Sequence, residues 1–169
     1  MKKLLLLIVF IGSVFNTYAD GIDFPQAKSA TITIDSLTSR MEKLQHDYDY
    51  MYCDYQTFRL KKDLNDLDHS ISISSNRILI NVYNSRYNND LYKVYSENYT
   101  SSCDLLESIK SNIETTKTLV FLKILTSGFT EQEIEVLTNS FNVIDNTVTK
   151  VQSSLDYYDV VLKAYKSNR

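Results

Sequence analysis

The chain contains few glycine and proline residues, which commonly form turns. Its 169 residues include three glycines and one proline, and after Gly21 and Pro25 only Gly128 remains. A β-rich or α/β fold of this size needs several glycines and prolines in its turns. Long helices joined by few connections do not need them, so this scarcity predicts an all-α fold.

The chain also lacks the motifs that carry chemistry. It has no glycine-rich phosphate loop, no Gly-x-Ser-x-Gly and no Cys-x-x-Cys. Its two histidines, His46 and His69, occur without the Glu-x-x-His pairs that metal sites of helical bundles use. We therefore predict a protein that is not an enzyme, with no catalytic, cofactor-binding or metal-binding residue. The net charge of −3 argues against nucleic acid as the main partner.

The N-terminus has the order of a secretory signal peptide. Lys2 and Lys3 precede an apolar run over 4–15, and Thr17-Tyr18-Ala19 follows with small residues at its outer positions. The run is shorter than the ~20 residues of a membrane span. We predict a signal peptide over 1–19, cleaved after Ala19, and a periplasmic or secreted protein with no stable membrane span after cleavage. A retained membrane anchor is the alternative.

Apolar residues recur at helical spacing through the rest of the chain. The last third carries an unbroken 3-4 repeat of apolar residues: Ile134, Leu137, Phe141, Ile144, Val148, Val151, Leu155, Tyr158, Leu162 and Tyr165. An earlier repeat contains Leu37, Met41, Leu44, Tyr48, Met51, Tyr55 and Phe58, and its phase then slips by two residues to Leu60, Leu64, Leu67 and Ile71. Such repeats predict apolar seams that pack helix on helix, as in coiled coils.

These patterns predict one helical-bundle domain over 35–169, preceded by a flexible or extended lead-in over 20–34. The expected architecture is an elongated antiparallel bundle of three long helices with coiled-coil-like heptad packing. The polar stretch 68–76 is the candidate for the first turn, although it lacks glycine and a helix running through it is the alternative. A break near 87–90 would divide the second helix and give four helices.

The second turn is marked by several signals within seven residues. Gly128 suits the left-handed end of a helix. Thr130 and Glu133 have the spacing of a capping box, and Phe129 and Ile134 occupy the two positions of a hydrophobic staple. The sequence therefore predicts a helical hairpin here, with a last helix from Glu131 to about Lys166.

Cysteine and tyrosine supply the remaining candidates. An exported chain could join Cys53 and Cys103 by a disulfide, with two free thiols as the alternative. There are 13 tyrosines, a residue type enriched at protein interfaces. The predicted interface residues are the tyrosines outside the seam positions, namely Tyr50, Tyr52 and Tyr83. Seam spacing predicts a core or boundary position for five others: Tyr48, Tyr55, Tyr92, Tyr95 and Tyr99.

The hairpin segment 127–137, with its Phe129-Thr130-Glu131 turn, resembles exported helical proteins of Bacteroides-type conjugative transfer systems. These are distantly similar to minor-pilus components of type IV secretion. The resemblance implies a signal peptide, a long helical hairpin and a further heptad helix, and it implies no catalytic residue.

We therefore expect a non-enzymatic exported structural or adaptor subunit of a cell-envelope assembly, with protein partners in the envelope or self-association. The alternative is a monomeric periplasmic binding or inhibitor module that uses a tyrosine-rich face.

Overall fold

The computed structural model describes residues 25–168, with side chains from residue 31 onward. Three helices form this part of the chain: α1 (Pro25–Tyr83), α2 (Asn89–Ser127) and α3 (Glu131–Ser167). No strand occurs among the described residues. The predicted all-α class is confirmed, and the described residues form three helices, as predicted, rather than the alternative four. The predicted signal peptide lies outside the described residues.

Contacts divide the chain into two units, Met1–Gln45 and His46–Arg169. Within the second unit, contacts between helices show that neighbours in sequence run antiparallel. Asp49 of α1 meets Lys123 near the end of α2, whereas Asn81 meets Tyr95 near its start. The ion pair between Lys117 and Asp145 joins α2 to α3. The C-terminal part of α1 and α3 therefore run in the same direction, with α2 opposed to both.

Two apolar clusters lie between the helices of this unit. The larger one draws on all three helices and contains Leu60, Leu64, Leu67, Ile71, Ile78, Leu106, Ile109, Ile113, Ile144, Val151, Leu155, Tyr158, Val161, Leu162 and Tyr165. The smaller one, near the α2–α3 turn, contains Cys53, Val120, Phe129 and Leu137. Burial of such side chains is the main force that holds the helices together, at about 1.5–3 kcal/mol for each fully buried large residue.

The first helix is longer than the sequence predicts, at both ends. It begins at Pro25, so residues 25–34 are helical where a flexible or extended segment was expected; residues 20–24 lie outside the described part. Proline is well suited to the first helical position because its fixed φ is helical and it needs no N–H partner there. The β-branched residues of 31–34 lower helix propensity by only tenths of a kcal/mol each, which continuation of a long helix outweighs.

The candidate turn at 68–76 is wrong, since α1 continues through it to Tyr83. Ile71 and Ile78 are buried at 1% and 0% exposure and keep the apolar face continuous. The hydroxyl of Ser75 donates to the Ile71 carbonyl at 2.9 Å, so this polar side chain is satisfied inside the helix.

The actual turn between α1 and α2 occupies residues 84–88, close to the break foreseen near 87–90. Ser85 has a φ of 49°, the left-handed conformation that reverses the chain. Asn88 then caps α2, because its side chain accepts hydrogen bonds from the N–H groups of Asp90 and Leu91. The Tyr165 hydroxyl accepts from the N–H of Asn88 at 2.9 Å and fixes the turn against α3.

The α2–α3 turn has the geometry that its sequence signals predict. Gly128 has a φ of 63° and ends α2. The Thr130 side chain accepts from the N–H of Glu133, whose carboxylate accepts from the N–H of Thr130 at 2.8 Å. Phe129 is buried in the smaller cluster and Ile134 packs against it. Backbone and side-chain hydrogen bonds from Thr130 outweigh desolvation and hold the pKa of Glu133 below its usual value.

Candidate interaction surface

Helix α1 has two different faces where it belongs to the second unit. One face packs on α2 and α3 and buries Asp49, Cys53, Thr57 and Leu60. The other carries Tyr48, Met51, Tyr55 and Phe58 at 3-4-3 spacing, here called the α1 stripe. At about 100° per residue the two sets point in nearly opposite directions around the helix.

The α1 stripe is exposed, although its spacing predicts a core seam. The exposed fractions are 64% for Tyr48, 69% for Met51, 58% for Tyr55 and 62% for Phe58. The prediction that Tyr48 and Tyr55 are core or boundary residues is therefore wrong within this chain. The periodicity correctly finds an apolar face, but another face of the same helix contacts α2 and α3.

The described part of the N-terminal unit presents a similar face. Every side chain over 31–45 is exposed. Four apolar residues keep the 3-4-3 spacing, here called the N-terminal stripe: Ile34, Leu37, Met41 and Leu44, which are 38–68% exposed. In sequence, the heptad register of this stripe leads directly into that of the α1 stripe.

A buried carboxylate determines which face of α1 turns toward the other helices. Asp49 is 3% exposed. It accepts a 2.8 Å ion-paired hydrogen bond from Lys123 and a 2.6 Å hydrogen bond from Ser127, both in the last turns of α2. An unpaired buried carboxylate would be strongly destabilising, so these partners fix the rotation of α1. The adjacent Tyr48 is thereby left on the outside.

A second polar contact, made by His46, holds the adjacent part of α1 against the α2–α3 turn. The His46 ring lies edge-on to Phe129, with centroids 5.6 Å apart. Its Nε2 is 3.3 Å from a carboxylate oxygen of Glu133, the residue that completes the capping box. Together with Asp49, His46 explains why this face of α1 is polar at its beginning, which a search for apolar repeats misses.

Charged and polar residues flank the α1 stripe. Counting Tyr48 and Tyr55 as heptad positions a, and Met51 and Phe58 as positions d, places Asp47 and Asp54 at g and Tyr52 and Arg59 at e. Tyr52 is 37% exposed and stacks on Tyr48, with ring centroids 6.4 Å apart. Arg59 has only a loose intrahelical partner, Asp63, at 3.9 Å.

The three tyrosines predicted to form an interface are not brought together. Tyr50 is half-buried in the smaller cluster, edge-on to Phe129 at 5.9 Å. Tyr52 borders the α1 stripe, and Tyr83, 88% exposed, lies at the far end of α1. The seam tyrosines of α2, namely Tyr92, Tyr95 and Tyr99, pack against the larger cluster as predicted.

The predicted disulfide is absent, and both cysteines are free. Cys53 packs in the smaller cluster with Val120, whereas Cys103 packs against the larger cluster. Val120 and Cys103 are 17 residues apart on α2, which is about 25 Å along a helix, whereas bridged Cα atoms lie within ~7 Å. Antiparallel packing of α1 and α2 therefore places the two thiols at different positions along the helices, too far apart for a disulfide.

Two open grooves with polar walls cross the second unit. The first, of about 310 Å³, lies between α1 and α3 and is lined by Ser72, Ser75, Asn76, Lys150, Ser153, Ser154 and Tyr157. The second, of about 660 Å³, lies between α1 and α2 and is lined largely by serines and asparagines. Within residues 25–168, no group of three or more His, Cys, Asp or Glu side chains could hold a metal ion.

Comparison with known proteins gives no relative: no protein-family profile, curated protein or solved structure matches this chain significantly. None of the helices in the described part of the chain is long and apolar enough to cross a membrane. The function must therefore be argued from the surface itself.

Proposed function

We propose that the protein is a non-enzymatic, exported structural or adaptor subunit of a cell-envelope assembly, which docks onto partner proteins through the α1 stripe. The observation that carries this proposal is the stripe: four large apolar side chains, 58–69% exposed, in unbroken heptad spacing on the face opposite the core. Contiguous exposed apolar surface of this kind is typical of protein–protein contact sites. The hairpin motif at Phe129 to Glu133 points to a conjugative transfer or type IV secretion apparatus as the assembly.

The spacing also supports the kind of contact. Side chains at heptad positions a and d insert between those of a facing helix, so the stripe suits a partner helix better than a loop or a sheet edge. The same reasoning favours coiled-coil-like packing and an elongated bundle for the chain itself. Each stripe residue that becomes fully buried would contribute about 1.5–3 kcal/mol to association.

The buried acidic groups support a structural rather than a catalytic role. Asp49 is bound by Lys123 and Ser127, and Asp68 is bound by Lys150 and Ser154, both at 2.7 Å. Burial raises the pKa of Asp68, but these two hydrogen bonds outweigh it and the pKa lies below its usual value. Each carboxylate joins α1 to a neighbouring helix, so its environment is explained by packing.

Site-specific photo-crosslinking in cells tests the proposal. A photoreactive amino acid in place of Tyr55 should yield adducts with envelope proteins, identified by mass spectrometry. The matched control is the same substitution at Tyr157, a 47% exposed tyrosine on α3, which should yield fewer adducts. The proposal fails if Tyr55 gives no adduct above this control, or if the protein stays in the cytoplasm.

The alternative, a monomeric periplasmic binding or inhibitor module, rests on Tyr83. This side chain is 88% exposed at the end of α1. A photoreactive residue at position 83 that captures one secreted protein, while position 55 captures none, would favour this second function.

A further inference from the structure

We propose that the partner which covers the α1 stripe is a second copy of this chain, packed as a parallel, in-register pair of α1 helices. The inference shares with the proposed function the premise that the stripe is a docking face, and it names a second copy, rather than a different envelope protein, as the helix that docks there. Tyr48, Met51, Tyr55 and Phe58 of one copy then meet the same residues of the other.

The charged residues that flank the α1 stripe support the pairing of α1 with α1 of a second copy. In a parallel pair of helices, a g residue faces the e residue of the next heptad on the partner. Asp54 of each copy therefore faces Arg59 of the other, which gives two symmetric ion pairs. Asp47 of each copy faces the hydroxyl of Tyr52 in the other. No like-charged residues meet along the α1 stripe.

The opposite orientation is less favourable over the same residues. An antiparallel pair that matches the α1 stripe with itself places g residues against g residues. Asp54 of one copy would then face Asp54 of the other, and Arg59 would lose its acidic partner. Asp47 would face Lys61 of the other copy, so this orientation combines two ion pairs with one like-charged contact, whereas the parallel pair has ion pairs and no like-charged contact. Like charges in contact are unfavourable and select against such arrangements, so the charge pattern favours the parallel pair.

The apolar area of the α1 stripe suits a weak pair. Tyr48, Tyr55 and Phe58 are about 60% exposed, and an aromatic side chain can bury 150–250 Å², so the three offer roughly 300–450 Å² a copy. A stable interface buries about 800 Å² per partner. The α1 stripe offers less area than this, so we expect the pair to exchange with the monomer. The second copy has free access to the α1 stripe, because α2 and α3 pack on the opposite face of α1.

Sedimentation of the purified, leader-processed protein between about 1 and 100 µM tests the pairing. We expect a dimer that dissociates at the low end, and a monomer for Met51→Asp. The matched control is Leu122→Asp, which places the same charge on an apolar residue of α2 that is 55% exposed and should remain dimeric. Circular dichroism should show both variants folded. A wild-type monomer at 100 µM, or equal dissociation of both variants, overturns the inference.

Charge reversal tests the orientation. Asp54→Arg and Arg59→Asp should each weaken the dimer by about tenfold or more at low salt, because each creates two like-charged contacts. The double variant restores two ion pairs and should return within about threefold of wild type. An antiparallel dimer predicts no such rescue.

Oxidation of a Met51→Cys variant independently tests the orientation of the two helices, because d residues that face each other in a parallel pair are close enough to form a disulfide. Wild type, with one buried and one half-buried thiol, is the background control. Rapid covalent dimerisation supports the parallel pair, and its absence in a protein shown to dimerise overturns it.

These results separate this inference from the proposed function. A monomer whose Tyr55 adducts are envelope proteins refutes self-pairing and leaves the adaptor function intact. A dimer whose only Tyr55 adducts are with itself supports the pairing and removes the support for envelope docking.

Discussion

The α1 stripe and the apolar repeat of α3 from Ile134 to Tyr165, here called the α3 seam, have the same heptad spacing and opposite environments. All ten residues of the α3 seam are buried or half-buried, and Ile144, Val151, Tyr158 and Tyr165 are fully buried. All four residues of the α1 stripe are more than half exposed. Periodicity therefore identifies an apolar face of a helix, while the neighbouring helices determine whether that face is covered within the chain.

The difference arises from what lies on the remaining faces of each helix. The faces of α3 away from its seam carry mostly polar residues, so one orientation buries nearly all of its apolar surface. Helix α1 has a second face, with Cys53 and Leu60, and there Asp49 is bound by Lys123 and Ser127. These polar contacts select the second face for the core and leave the stripe for another chain.

Charge in the α3 seam should have the largest effect. Ile144→Asp together with Val151→Asp places two carboxylates at positions with 0% exposure. The penalty of several kcal/mol for each is comparable to the whole stability of a domain, about 5–15 kcal/mol. We expect loss of helicity by circular dichroism. The control pair on the same helix, Val143→Asp with Val160→Asp, is 41% and 61% exposed and should stay folded. A folded core variant would contradict the bundle.

Truncating one side chain on each face of α1 should distinguish core residues from surface residues by their effect on stability. Leu64→Ala removes a side chain with 0% exposure and should lower the free energy of unfolding by about 2–5 kcal/mol. Phe58→Ala removes a larger side chain that is 62% exposed, and should change the stability of the monomer by no more than about 0.5 kcal/mol. Urea denaturation at low protein concentration measures both. Equal losses would mean that the stripe is part of the core.

Much of the fold follows from local signals in the sequence. The scarcity of glycine and proline, the capping box at Thr130 and Glu133, and Gly128 predict the class and the second turn, because each acts within a few residues of itself. The length of α1 cannot be predicted from such local signals. A run of serines near Ser75 suggests a turn, but side-chain hydrogen bonds to the helix and the buried Ile71 and Ile78 keep the helix intact.

The candidate surface could be predicted only in part. The sequence shows that Tyr48, Met51, Tyr55 and Phe58 form one apolar face and that the phase slips at Leu60. Which side of that slip is buried depends on Lys123 and Ser127, which lie more than 70 residues away in sequence. The disulfide prediction was wrong for a similar reason, since the level of each cysteine along the bundle depends on how the helices pair.

Removing the polar contact that orients α1 should have an intermediate effect. Asp49→Ala deletes the partner of both Lys123 and Ser127 and should lower stability by about 1–3 kcal/mol. Asp54→Ala removes an exposed aspartate five residues further along α1 and should leave the monomer nearly unchanged. Thermal melts at neutral pH and low protein concentration measure the difference. If the two variants melt alike, Asp49 does not determine which face of α1 is buried.

The smallest effect should come from one hydroxyl in the α3 seam. Burial raises the pKa of Tyr158 to about 12, and its hydroxyl donates to the Tyr95 carbonyl at 3.0 Å. Since the unfolded chain releases this proton near pH 10, this residue destabilises the fold as pH rises from 10 to 12, by up to ~1.4 kcal/mol per pH unit. Below pH 10 both states keep the proton and the penalty vanishes.

Tyr158→Phe should therefore lose about 1 kcal/mol at neutral pH, from the missing hydrogen bond, and show a shallower loss of stability above pH 10. Tyr157→Phe removes an exposed hydroxyl from the adjacent residue and should leave the stability at neutral pH nearly unchanged. Urea titrations at pH 8, 10.5 and 11.5 give both quantities. An unchanged slope in Tyr158→Phe would mean that water reaches this hydroxyl, so that the α3 seam is less tightly closed here than its burial indicates. The contrast with the exposed α1 stripe would then be smaller than the two sets of exposed fractions imply.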